Sequence, residues 1–116
     1  MTIDQLLIPI AGLVGVLLLK RLIGGPKVDK NVVREKIQAG AKIVDVRNPE
    51  EFRAGAYPGA VNIPLSQLDN RKAEIPKNCP VVLYCASGMR SAAAARTLKH
   101  AGYGEVINAG GLSDMP

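Results

Sequence analysis

The sequence predicts an α/β fold in which a central, mostly parallel sheet carries helices on both faces, preceded by one N-terminal transmembrane helix. Three observations predict it. Short apolar runs rich in β-branched residues, such as Ala41 to Val46 and Val81 to Tyr84, alternate with segments of helical character. Cap and turn residues punctuate each passage from one to the other. Residues 1–25 form a separate apolar segment, which leaves residues 26–116 room for one compact domain and one core.

The N-terminal segment contains fourteen consecutive uncharged residues, Leu6 to Leu19, followed by Lys20 and Arg21. A spanning helix needs about 20 residues, and this one reaches that length from Gln5 to Ile23 if the two basic side chains snorkel. A cleaved signal peptide has positive charge before its apolar core; here Asp4 precedes the core and the basic residues follow it. The segment is therefore expected to stay as a single-pass anchor in the inner membrane. Lys20, Arg21, Lys27 and Lys30 all follow it, which turns the domain toward the cytoplasm. The competing expectation is signal cleavage and an exported, periplasmic domain.

Within the domain, Asp29 is placed to cap a short helix whose apolar positions Val32, Val33 and Ile37 share a face, with Gly40 at its end. Ala41 to Val46 reads as a buried strand. Asn48, Pro49 and Glu51 give a helix start with cap, first-turn proline and capping-box carboxylate, and that helix ends near Gly55. Pro58 and Gly59 turn the chain into a strand from Ala60 to Ile63, closed by Pro64. Ser66 to Ala73 reads as another helix, and Val81 to Tyr84 as a third strand. The alanine-rich stretch Ser91 to Lys99 is helical by propensity, with Gly102 as its stop. Glu105 to Asn108 supplies the last strand before Gly110 and Gly111.

Fifteen Lys and Arg against ten Asp and Glu give a net charge of +5, spread along the chain without a basic run. That favours anions in general. Without a basic stripe, and with only Phe52, Tyr57, Tyr84 and Tyr103 to stack on bases, nucleic-acid binding is excluded as a reading. Two cysteines, Cys79 and Cys85, are too few for a disulfide framework or a closed zinc site, and no metal or organic cofactor is indicated. A strand between the two keeps them apart, which makes Cys79 a bystander in a turn.

Cys85 lies where a strand meets a helix, beyond the carboxyl end of the sheet where ligand sites form. Backbone N–H groups of Ala86, Ser87, Gly88, Met89, Arg90 and Ser91 can converge there on its sulfur. The helix N-terminus and Arg90 favour the thiolate, and Gly88 permits the tight loop. His100, the one histidine, belongs at a helix C-terminus against the dipole.

Cys85, Gly88 and Arg90 spell C-x-x-G-x-R, which resembles the active-site loop of rhodanese-domain sulfurtransferases. Val44 to Pro64 (VDVRNPEEFRAGAYPGAVNIP) is similar to a second signature of that family, and Gly102 to Leu112 (GYGEVINAGGL) to its C-terminal glycine motif. The nearest likeness is to small single-domain thiosulfate sulfurtransferases, including the short phage-shock type. The resemblance implies double displacement: the Cys85 thiolate takes the outer sulfur of thiosulfate, releasing sulfite, or that of a persulfide, releasing a thiolate, and passes the sulfur to cyanide or to a protein or low-molecular-weight thiol. Arg90 and the loop amides would bind the anion. Asp45 and Arg47 match the family's D-x-R; Asp45 is read as structural support. Arg47 is read either as a substrate contact or as a salt-bridge partner of Glu51. Two departures stand out. Ala56 and Tyr57 occupy the stretch where the family commonly has His, and no aromatic follows the final glycine pair, which implies loose packing of the last residues.

Two other functions compete. Phosphatases and arsenate reductases hold a tetrahedral oxyanion in a related Cys-to-Arg loop, but theirs is one residue longer than the four residues between Cys85 and Arg90. The shorter loop fits a single transferred sulfur. A membrane-tethered carrier or sensing module is the other alternative.

Overall fold

The computed structural model describes residues 27–116, so the expected transmembrane helix lies outside the described residues. Among the described residues no helix is long and apolar enough to cross a membrane. The chain alternates α1 (Lys30–Gln38), β1 (Lys42–Asp45), α2 (Pro49–Ala54), β2 (Val61–Asn62), α3 (Leu68–Arg71), β3 (Val81–Cys85), α4 (Met89–His100) and β4 (Val106–Gly111). All four strands run parallel, in the order β2-β1-β3-β4.

The sheet is covered on both faces, and of its two inner strands β3 carries no charged residue at any position. On β3, Val81, Leu83 and Cys85 join one core with Leu68 of α3 and Ala94, Ala95 and Leu98 of α4. Val82 and Tyr84 point the other way and pack with Val33 of α1, Ile107 and Met115. All five residues of β3 are buried, as expected for a strand sandwiched between helical layers. Replacing Leu83 by Ala would remove about 2–5 kcal/mol of stability by the usual cost of a core cavity.

Local rules explain most of the elements. The Asp29 carboxylate accepts the Asn31 N–H at 2.8 Å to start α1, and Gly40 takes the left-handed φ of +96° that ends it. Of the expected apolar face, Val33 is fully buried, whereas Val32 is exposed. At α2 the Glu51 carboxylate accepts the Asn48 N–H at 3.1 Å, the predicted capping-box contact.

Three expectations need correction. The helix expected from Ser66 to Ala73 is instead the single α-turn α3 between two 3-10 turns, Leu65–Gln67 and Lys72–Glu74. The Tyr103 hydroxyl lies 2.6 Å from the Lys72 carbonyl oxygen and 2.7 Å from that of Ile75, taking up groups that a continued helix would have bonded. The last strand does not stop at Asn108 but runs through the glycine pair. Leu83 pairs with Asn108 and Cys85 with Gly111, so two steps on β3 face three on β4, and Gly110 absorbs the extra residue at φ +92°. Finally, the residues after the glycine pair are not loosely packed: Met115 is buried, and the Tyr57 hydroxyl donates to the Pro116 carbonyl at 2.9 Å.

Candidate active site

Cys85 ends β3, and Gly88, at φ +99°, turns the chain back into α4. Only glycine adopts that angle without strain. The loop closes around the sulfur: the Gly88 N–H donates to Cys85 Sγ at 3.0 Å, and Ser91 Oγ lies 3.4 Å from the same sulfur. Burial pushes the Cys85 thiol up, but hydrogen bonds from the Ser91 side chain and from the amides of Ser91, Ser87 and Gly88 outweigh it, leaving the thiol below its ordinary value.

The candidate residues separate by position. Ala86, Ser87 and Met89 are exposed at the mouth, Met89 at 70% of its surface, while Gly88 and Arg90 are half-buried. Ser91, read from sequence as a substrate contact, is fully buried beneath the sulfur. Its place in the first turn of α4 aims the side chain back at the loop that precedes the helix. Its side chain lies against the Cys85 sulfur and does not line the mouth.

Arg90 makes a fork on Glu51, with contacts of 2.7 and 3.1 Å. The Arg90 hydrogen bond, together with the Asn48 amide, lowers Glu51 to about 2. The negative charge of a Cys85 thiolate also acts on Arg90. Arg47, by contrast, belongs neither to Glu51 nor to the mouth, which corrects both sequence readings. It is buried, with Nε and Nη2 on the Asp45 carboxylate at 2.7–3.1 Å and Nη2 on the Gly55 carbonyl at 2.7 Å. A guanidinium only two residues from a buried carboxylate at a strand end is captured by it before it can reach α2's outer face. Arg47 thus ties Asp45, at the end of β1, to Gly55, at the end of α2, and α2 between them presents Glu51 to Arg90.

Three contributions escape the sequence reading. Asn108 of β4 places Oδ1 2.6 Å from Ser91 Oγ and 3.0 Å from the Gly110 amide nitrogen. Gly111 lies against the loop so closely that an added Cβ would collide with the Ala86 carbonyl oxygen. Asp114 accepts the Gly111 N–H at 2.8 Å and pairs with Lys27 at 2.8 Å. The glycine motif carried a signal for the second of these, since adjacent glycines mark close backbone approach. Asn108 carried none, because its partners come from a strand pairing that spacing alone does not define.

An open recess of about 620 Å³ between α3 and α4 is lined by Asp69, Lys72, Arg96, Thr97 and His100. None of the residues around Cys85 contributes to it. Among the described residues no group of three or more His, Cys, Asp or Glu is placed to hold a metal ion.

A family model, the rhodanese-like domain, matches residues 29–115. Thiosulfate sulfurtransferase PspE of Escherichia coli is 43% identical over 74 residues, 62% of this chain and 71% of that protein. The putative sulfur carrier protein YrkF of Bacillus subtilis is 36% identical over 85 residues, 72% of this chain but only 46% of its own length. A solved rhodanese with anions from E. coli superposes with a TM-score of 0.62 at 41% identity, covering 66% of this chain and 95% of that one. With a parallel sheet, a cysteine at its carboxyl edge and a C-x-x-G-x-R loop, the chain belongs to the rhodanese-like domain family, a family of sulfurtransferases and sulfur carriers.

Proposed function

We propose that the chain is a thiosulfate sulfurtransferase in which Cys85 carries the sulfur as a persulfide. The observation that carries this reading is a buried sulfur ringed by hydrogen-bond donors, with four residues before Arg90. In the first step the Cys85 thiolate attacks the outer sulfur of thiosulfate. The sulfur–sulfur bond of the donor breaks, its electron pair leaves with sulfite, and the transferred sulfur stays on Sγ as a persulfide anion. In the second step cyanide or a thiolate takes that outer sulfur and the electron pair of the S–S bond returns to Sγ. Loop amides stabilise the negative charge at both stages, since they are aimed at the sulfur before substrate arrives. A nucleophile this deep is reached by a single projecting sulfur atom more readily than by a phosphorus centre shielded by its oxygens.

The experiment is mass spectrometry of the whole protein after thiosulfate treatment. A gain of about 32 Da, one sulfur atom, localised to Cys85 and removed by cyanide, is expected; no adduct, with turnover of aryl phosphates instead, would overturn the reading.

The charge pattern of residues 1–30 supports a second part of the proposal: a single-pass inner-membrane tether with the domain in the cytoplasm. Full-length protein is then expected in the membrane fraction with an uncleaved N-terminus, resistant to protease added outside the membrane. A soluble periplasmic product of reduced mass would refute it.

A further inference from the structure

Ser91 has one proton to give and four acceptors in reach. Its Oγ lies 2.6 Å from Asn108 Oδ1, 3.2 Å from the Gly88 carbonyl, 3.4 Å from the Gly110 carbonyl and 3.4 Å from Cys85 Sγ. The orientation of the Asn108 amide is fixed by two neighbours. Its Oδ1 accepts the Gly110 N–H at 3.0 Å, and its Nδ2 donates to the Gly88 carbonyl at 3.4 Å. Flipping the amide would set donor against donor at Gly110 and acceptor against acceptor at Gly88. The group facing Ser91 is therefore an acceptor, and at 2.6 Å it takes the hydroxyl proton. What Ser91 then offers the sulfur is a lone pair, which suits a thiol S–H and not a thiolate.

We infer that Asn108 is a positioning residue that competes with Cys85 for the Ser91 proton, so that this hydroxyl rotates between them as the sulfur gains and loses charge. With a thiol at Cys85, S–H donates to Ser91 Oγ and Ser91 donates to Asn108. When the thiol loses its proton to solvent, the hydroxyl swings to donate to Sγ, and Asn108 Oδ1 keeps the Gly110 N–H alone. No proton passes between Ser91 and the sulfur; only the direction of the hydrogen bond changes. Loading of sulfur moves the negative charge out to the terminal atom of the persulfide, and the hydroxyl returns to Asn108. This last stage rests on the sulfur-transfer reading; the coupling to thiol ionisation does not.

The charged groups around the loop are each paired, and none is altered by the variants below, so the field they set up, that of Arg90 on the sulfur included, is common to all of them. Arg90 on α4 is held by Glu51 on α2, Arg47 and Asp45 at the end of β1 hold each other, and Asp114 after β4 is held by Lys27. The phenol of Tyr84 accepts the Tyr57 N–H at 2.9 Å.

The test is the pH dependence of iodoacetamide alkylation, read on the Cys85 peptide by mass spectrometry with no sulfur donor present. Asn108→Asp grips the Ser91 proton with a charged acceptor and gives up the Nδ2 donor to the Gly88 carbonyl, a loss common to both Ser91 backgrounds; it slows Cys85 alkylation at neutral pH on the order of tenfold, the effect of one unit in pKa. Asn108→Ala removes the nearest acceptor and leaves the charged sulfur to contest the proton only with the neutral Gly88 and Gly110 carbonyls, which speeds alkylation. In a Ser91→Ala background, most of the Asn108→Asp effect disappears. An equal slowing with and without Ser91 would show that the new charge acts through space, and would overturn the inference; so would no slowing at all. Should Asn108→Ala not fold because it strands the Gly110 N–H, the Asn108→Asp and Ser91→Ala cycle decides alone. A protein that ionises as described yet takes no sulfur from thiosulfate would count against the proposed function and leave this inference standing.

Discussion

At the scale of single residues, the charged pairs of the site have different surroundings and different expected consequences. Asp45 and Arg47 are both buried, with Arg47 7% exposed and Asp45 not at all. Asp45→Ala leaves a guanidinium in the core with the Gly55 carbonyl and the Tyr84 ring but no counter-charge, and the loss of one partner of such a pair costs about 3–5 kcal/mol. Urea unfolding measures it; a cost below about 1 kcal/mol, the level of a surface pair, would contradict this pairing. The D-x-R spacing was visible in the sequence, but the direction of Arg47 was not. Direction followed from burial of Asp45, which depends on how β1 is flanked. Cys85, Gly88 and Arg90 were legible for the opposite reason. A strand running into a glycine turn and then a helix is a local pattern, complete within a few residues.

Elements bring together what neighbours in sequence cannot. The Glu51–Arg90 pair joins α2 to α4 and holds Arg90 beside the loop. Glu51 has a folded-state value of about 2 against 4.5 when free, because Arg90 and the Asn48 amide donate to it. A lowered carboxylate value means that the pair supports the folded state above about pH 4.5 and loses that support as pH falls toward 2. The difference in urea midpoint between the parent protein and Glu51→Gln should therefore be present at neutral pH and vanish on acidification. A difference that grew with acid would refute the assignment. Docking of β4 against the loop gives another prediction. Gly111→Ala drives a methyl into the Ala86 carbonyl, and the loop must shift to admit it. Sulfur transfer is expected to fall by at least about tenfold, because a small misplacement of reacting groups carries a cost of that order or more. Thermal unfolding under the same conditions separates this from general loss of fold. The sequence reading ends the last strand at Asn108, before the glycine pair, and glycines do ordinarily weaken strands. The ladder continues because those glycines are the residues that fit beneath the loop.

At the scale of the whole domain, alternation of apolar runs and helical segments was sufficient for the parallel sheet and its two helical layers. What the alternation did not contain was strand order and register. Those depend on pairings between distant segments, such as Leu83 with Asn108, and the Ser91–Asn108 contact beneath the sulfur follows from them. The three-part helical stretch around α3 was missed for a related reason. Its sequence has helical propensity, but Tyr103, far along the chain, bonds the carbonyl oxygens of Lys72 and Ile75 where the helix breaks off. β2, at the margin of the sheet, is only two residues long and is followed closely by Pro64. It offers a second molecule almost no unpaired backbone to extend, and proline removes a donor from what remains. That margin is protected against edge-to-edge association, so crowding many copies together does not recruit β2 as the template on which a fibril could grow.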